Sequence, residues 1–309
     1  MNFAQHVINE VNPRNRLLEE MTKVVPWEML KKELEKGIIR KKGGRPAYCL
    51  LLLLKMYLFQ VWYGLSDEGC DYQIKDRLSF REFLGLGIND HVPDATTLEN
   101  FRHDFEPIAE EVLAKLDDFF KEKGLLLKEG NVVDATFIQA NSRSHKDPKK
   151  NSDLDAEWGH KGFGYSGTVN MDVKSKLVRK VVTTSARPHD SKMLKPSLKG
   201  DEKLLYADSA YGTHRYQLRG IKTRILYKQN RGKKGEPTPD LPARKKLLNK
   251  AYAKVRARGE HVFGCWKTGL GGIQRAWYRG LERVNQQLQS LAIGYNLRRY
   301  GYLVRGKCA

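Results

Sequence analysis

The chain has 309 residues, enough for two domains of ordinary size, and sets 56 lysines and arginines against 36 acids. The net charge of +20 and pI near 9.7 favour nucleic acid over an acidic small molecule or a membrane surface as partner. Cys49, Cys70, Cys265 and Cys308 are scattered with no C-x-x-C pair, which argues against a disulfide framework or zinc ribbon and for reduced thiols.

In chain order, the first residues, Met1-Asn-Phe-Ala-Gln-His, lack the charged-then-apolar pattern of a signal peptide. The most apolar run, Tyr48 to Leu54, is broken by Lys55 and again by Gln60, too soon to span a bilayer. A soluble intracellular protein without a membrane partner is expected. Residues 1 to 125 read as helices. Gly43-Gly-Arg-Pro46 precedes a helix from Tyr48 to Leu65, Ser66-Asp67 caps a second that runs through Asp71 to Leu78, and Ser79 to Leu84 forms a third. Thr96 and Glu99 have capping-box spacing for a helix carrying Phe101, Arg102 and Phe105, and Ile108 to Phe120 is amphipathic. Short helices with sharp turns suit a helix-turn-helix-like DNA module, and equally a bundle that supports the next domain.

After Lys121-Glu-Lys-Gly124 the pattern changes. Strands are predicted at Asn131–Ile138, Gly167–Val173, Leu177–Thr184, Leu204–Asp208 and Arg224–Lys228, with short helices starting at Asp190 and His214. Two long helices follow, from Arg244 to about Lys267 and from Leu281 to Tyr300. Segments 141–161 and 230–242 read as loops. The order predicts a mixed five-stranded α/β sheet flanked by helices over 126–309, behind an all-α domain over 1–125.

Three acids stand out. Asp134 lies mid-strand in Val-Val-Asp-Ala-Thr-Phe-Ile, and Asp208 ends a strand, the usual place for ligands in α/β sheets. A carboxylate in an apolar strand is costly unless a cation meets it. On neighbouring strands the two would repel each other, a repulsion relieved by one or two hard cations such as Mg²⁺ or Mn²⁺. Glu260 sits on the long helix, whose apolar face holds Leu247, Ala251, Val255, Val262 and Trp266. With Val255 at zero, Phe263, Arg256, Lys267 and Glu260 fall at about 80°, 100°, 120° and 140°, one stripe beside that face. Gly259 would let the helix approach the sheet closely. An exposed Arg256–Glu260 pair at i,i+4 is the plain alternative.

Val-Val-Asp134-Ala-Thr, Ala-Asp208-Ser-Ala-Tyr-Gly and Arg256-x-x-x-Glu260-x-x-Phe263-Gly-x-x-Lys267 resemble the three blocks of bacterial insertion-sequence DDE transposases. Gly44-Arg-Pro46, Tyr63-Gly-Leu-Ser-Asp67, Phe80-Arg-Glu-Phe-Leu-Gly-Leu86 and Val92-Pro-Asp-Ala-Thr-Thr97 resemble that family's helical N-terminal domain. Arg187-Pro-His-Asp-Ser191 and Asn296-Leu-Arg-Arg299 resemble parts of its core. The resemblance implies an RNase H-like catalytic domain and a helical DNA-binding and dimerisation domain. It implies that Asp134, Asp208 and Glu260 are catalytic and bind two metal ions, with Arg256 and Lys267 contacting DNA near the scissile phosphate. The implied partners are double-stranded DNA, as element ends and target, and a second copy of the chain, in the bacterial nucleoid. Where the family often has tyrosine three residues before the arginine, this chain has Ala253, with Tyr252 one residue earlier.

Residues 228 to 258 hold eleven lysines and arginines against Glu236 and Asp240, so Lys233 and Lys234 are further candidate DNA contacts, as is Arg102 in the helical domain. Tyr211, Trp266, Trp277 and Tyr278 are candidates for stacking on unpaired bases, with core packing the stronger reading for Trp266. Gly162-Phe-Gly-Tyr-Ser-Gly167 matches G-x-G-x-x-G but leads into a strand rather than a helix, which argues against a dinucleotide site. Asp190 reads as a helix cap, and His160, His214 and His261 lack zinc-ligand spacing. An RNase H-like nuclease or resolvase, and a DNA-binding regulator with an inactive core, are the alternative functions.

Overall fold

The computed structural model describes residues 15–40, 46–126, 129–145, 147–229, 240–270 and 272–305. The helical part comprises α1 (Arg16–Val24), α2 (Trp27–Gly37), α3 (Leu50–Tyr63), α4 (Asp67–Asp76), α5 (Leu78–Leu84), α6 (Ala95–Phe105) and α7 (Ala109–Glu122). Helix α3 is apolar on nearly every side and buried from Met56 to Trp62, so it forms the axis around which the others pack. Gly64 ends it in the left-handed region at φ 66°, where a side chain would be strained. Ser66 caps α4 as expected, its hydroxyl accepting the Gly69 N–H at 3.0 Å. Helix α6 starts earlier than its Thr96–Glu99 spacing predicts. Asp94 is its cap, accepting the Thr97 N–H at 2.7 Å, because a carboxylate is the stronger acceptor.

The sheet contains β1 (Asn131–Gln139), β2 (Glu157–Gly159), β3 (Gly162–Asp172), β4 (Val178–Ser185), β5 (Leu204–Ala207) and β6 (Lys222–Ile225). Five strands lie in the order β4-β3-β1-β5-β6, antiparallel through β4, β3 and β1 and parallel through β1, β5 and β6. This is the RNase H-like arrangement, with β2 added as a short hairpin at the start of β3. Strand β3 begins five residues earlier than predicted, so the G-x-G-x-x-G segment is itself strand. A Cβ at Gly164 would collide with the Ile138 carbonyl, so glycine here admits the close pairing with β1.

Two long helices follow, α8 (Ala243–Gly264) and α9 (Leu281–Arg305). The expected apolar face of α8 is covered only at its C-terminal end, where Val262 and Trp266 are 0% exposed while Leu247 is 70% exposed. The cause is the sheet: β5 and β6 have 4 residues each, too few to underlie the whole helix. Along the first half of α8, Arg244, Lys245, Lys246, Lys250 and Lys254 are all exposed, while the Asn249 side chain holds the Tyr227 backbone at 2.8 and 3.0 Å. After Gly264 the helix widens into a π turn, Cys265–Gly269.

Helix α9 joins the two parts. Gly294 lies against Val61 and Trp62 of α3, and the Trp62 indole donates to the Gly294 carbonyl at 3.0 Å. The Gln286 amide donates to the Arg102 carbonyl at 2.6 Å. On the sheet side, the Asn296 amide accepts from Val178 N–H at 2.8 Å and donates to its carbonyl at 2.7 Å. A single apolar core runs through the helices and one face of the sheet. A second link is ionic. Arg179 of β4 and Asp117 of α7 are both fully buried and bonded at 2.9 and 3.1 Å, with Asp201 at 2.8 Å from the same guanidinium. Among the described residues no helix is long and apolar enough to cross a membrane.

Candidate active site

Strand alternation puts Val132 and Asp134 on the face of β1 beneath α8. A Cβ built on Gly259 would meet Met171 Sδ at 3.0 Å and Val132 Cγ1 at 3.4 Å, so the missing side chain brings α8 down onto β1 and β3. One turn earlier, Arg256 reaches the sheet. Its Nη2 is 3.0 Å from Asp134 Oδ2 and its Nη1 is 3.5 Å from Asp208 Oδ1. The parallel register ends with Val133 beside Ala207, so Asp134 and Asp208 each follow that last pair, Asp208 just beyond the end of β5.

Each aspartate also accepts a local backbone bond, Asp134 from the Ala135 N–H at 3.0 Å and Asp208 from the Ser209 N–H at 2.6 Å. Burial pushes the Asp134 carboxyl above its ordinary value. The Arg256 charge and hydrogen bond pull it back in part, and the neighbouring Asp208 pushes it further up. Asp208 is more open, its side chain 44% exposed against 21% for Asp134.

Glu260 lies one turn beyond Arg256 on the same helix, exposed, and forms no ion pair among the described residues. The surface Arg256–Glu260 pair is therefore not formed, because the arginine is drawn across to the two strand acids. Lys267 is half-buried in the π turn. Lys233 and Lys234 lie outside the described residues. Arg102 is placed differently from the expectation of a DNA contact. It is 8% exposed, its guanidinium bonded to both carboxylate oxygens of Asp67 and to Gln60, beneath the Tyr278 ring. Its helix faces the core, and Asp67 satisfies it there.

Of the aromatic candidates, Trp266 and Tyr211 are core residues, while Trp277 and Tyr278 are half-buried. Tyr252 packs edge-on against Tyr206. His189 caps the turn that follows, its Nδ1 accepting the Ser191 N–H at 3.3 Å, while the Asp190 side chain, expected as a cap, lies outside what is described. His261 adjoins Glu260 but contacts the Tyr295 hydroxyl at 3.3 Å. The link from Arg256 to both aspartates escaped the sequence reading, although Gly259 and the helical phase of Arg256 carried its signal.

The donor set suits a hard cation. Two carboxylates sit side by side, one of them desolvated, and a cationic side chain already spans them. Among the described residues, however, no three His, Cys, Asp or Glu side chains are gathered tightly enough to hold an ion. Asp134 and Asp208 share one cation, the Arg256 guanidinium, and Glu260 stands one helical turn from that arginine, exposed.

Comparison with known families gives two matches. Residues 6–104 match the model of a Transposase domain (DUF772), and residues 126–297 match that of the Transposase DDE domain. The latter spans more than half of the chain and includes all three acids. No solved structure matches the chain.

Proposed function

The chain belongs to the DDE transposase family, an enzyme family that cleaves and rejoins DNA, and on that premise we propose its particular reaction. It binds the terminal inverted repeats of its own insertion sequence, cleaves there, and joins the freed 3′-hydroxyl to target DNA. The observation that carries this reading is the placement of Asp134 and Asp208 on adjacent strands under one arginine, with Glu260 on the same helix as that arginine.

In this reading Asp134, Asp208 and Glu260 would hold Mg²⁺ or Mn²⁺, which when bound would supply Lewis-acid chemistry to phosphodiester displacement. Arg256 offsets the two carboxylates, and its planar fork of N–H donors also suits a phosphate. Lys267 contributes positive charge farther along the same side of the helix. The exposed basic half of α8 follows the DNA backbone away from the site, since phosphate contacts position a duplex without reading it. Residues 1–125 act as the DNA-binding and dimerisation unit and 126–309 as the catalytic unit, two copies bridging the element's ends on the bacterial nucleoid.

The test uses a duplex carrying the DNA that flanks the gene, incubated with the protein and Mn²⁺. Nicking at the repeat ends and joining to a second duplex are expected, with both lost in Asp134→Asn and Glu260→Gln. Unchanged nicking in either variant would sink the site assignment. Cleavage without joining would leave a nuclease.

A further inference from the structure

The buried arginines of the structure are firmly held. Arg81 bonds the carbonyls of Gly87, Ile88 and Asp90, Arg102 bonds Asp67 and Gln60, and Arg179 bonds Asp117 and Asp201, each guanidinium making at least three hydrogen bonds. The Arg256 guanidinium makes one, from Nη2 to Asp134 Oδ2 at 3.0 Å. Its Nη1 faces Asp208 Oδ1 at 3.5 Å, an ion pair too long for a good hydrogen bond. Its Nε is buried with no partner among the described residues, a costly state for an N–H donor.

Arg179 shows what the missing bond is worth in geometry. Its Nε and Nη2, the two donors of one guanidinium edge, hold both oxygens of Asp117 at 2.9 and 3.1 Å. On Arg256 the same edge is half used, with Nη2 on Asp134 and Nε idle. An oxyanion that fills this edge must take Nη2 from Asp134. Because Nε is shielded from solvent, the edge opens only as the guanidinium turns away from the strands. The aspartates have no second cation among the described residues. Apart from Arg256, each accepts only the N–H of the residue that follows it.

We propose that Arg256 is a displaceable latch. It serves as the internal cation of Asp134 and Asp208 until a DNA phosphate draws it off by the Nε–Nη2 edge, and only then are the two carboxylates free for a divalent cation. DNA therefore binds ahead of the metal, and each tightens the other. The inference rests on the catalytic reading of the two acids.

The full chain is titrated with Mn²⁺ at a pH well above the carboxylate range, and the free ion is followed by its electron paramagnetic resonance signal, a readout of binding rather than turnover. Without DNA, Arg256→Gln is expected to bind Mn²⁺ about tenfold more tightly than the unaltered protein, the weight of one charge-assisted hydrogen bond. A short duplex of the DNA that flanks the gene should tighten Mn²⁺ binding by the unaltered protein about tenfold more than it does in Arg256→Gln. Arg256→Lys keeps a cation beside the strands but lacks the Nε–Nη2 edge. It should lose the same part of the duplex effect, and it carries the test if the glutamine variant fails to fold. Mn²⁺ binding by Arg256→Gln no tighter than that of the unaltered protein overturns the latch, as does a duplex effect that both variants keep in full. Asp134→Asn separates the two ideas. If it loses Mn²⁺ while Arg256→Gln gains nothing, the latch fails and the acids remain the site; if it binds Mn²⁺ undiminished, the catalytic reading fails and the latch with it.

Discussion

The buried Asp117–Arg179 pair offers a direct measure of what holds the helical part to the catalytic sheet. Both side chains are 0% exposed, and Asp117 also meets Lys121 at 2.9 Å and Lys199 at 3.3 Å. Asp117→Ala removes the carboxylate these cations share, although Arg179 keeps Asp201 at 2.8 Å and Glu202 at 3.8 Å, and Lys121 keeps Asp201 at 2.7 Å. Breaking a buried pair costs about 3–5 kcal/mol, and the two remaining acids put this case near the lower end, about 3 kcal/mol. In a chain of this size that lowers the Tm by roughly 6 °C, read by far-UV circular dichroism. Replacing both partners by apolar residues, Asp117→Leu with Arg179→Met, should recover most of the loss. The pH dependence has a definite sign. Burial pushes Asp201 up, but hydrogen bonds from Arg179 and Lys121 outweigh it and hold the carboxyl at about 2. Asp117 is depressed in the same way, burial being outweighed by Arg179. The stability these groups lend is therefore complete above the ordinary carboxylate range and disappears as pH falls toward about 2. The gap between the unaltered protein and Asp117→Ala should close over that acid window. A drop below roughly 2 °C at neutral pH, or a double variant no more stable than the single one, would refute the account.

Two further outcomes follow from the site. Gly259→Val, whose Cβ would lie 3.0 Å from Met171 Sδ, should lift α8 from β1, costing about 1–3 kcal/mol. Nicking should fall at least tenfold (about 1.4 kcal/mol) if helix height sets the distance from Arg256 and Glu260 to the strand acids. The second outcome concerns pH. Asp134 is raised by burial, so its carboxylate forms only above the usual range, and Mn²⁺-dependent nicking should rise with pH across that region. Arg256 lowers this group, so Arg256→Gln should move the rising limb to higher pH, and an unmoved limb would show that Asp134 does not govern it.

Four of the five main strands were legible at their predicted places, whereas β6 is Lys222–Ile225 and not the expected Arg224–Lys228, and Asp134 stood out as a charge inside one of the four. What the sequence withheld was depth. A run of Leu247, Ala251 and Val255 has the period of a buried face, yet period says nothing about how far a sheet extends beneath it. Likewise Arg102 lies in a basic chain, and only the placement of Asp67 beside it, 35 residues away in sequence, makes it an interior group. The strand β2 was missed because its Glu-Trp-Gly has no alternation to read. For the site, helical phase put Arg256 and Glu260 on one stripe. It left open whether the arginine would turn to its helical neighbour or to the strands, a choice decided by the close seat that Gly259 permits.

Helix α9 has a consequence for the order in which the molecule is made. Residues 281–305 leave the ribosome after everything they brace, yet Gly294 completes the packing around Val61 and Trp62 and Asn296 closes onto Val178. A nascent chain that has already produced α3 and β4 still exposes the groove where this helix belongs. The packing of the helical part and of the sheet is thus completed by one and the same segment, the last helix of the chain to be made.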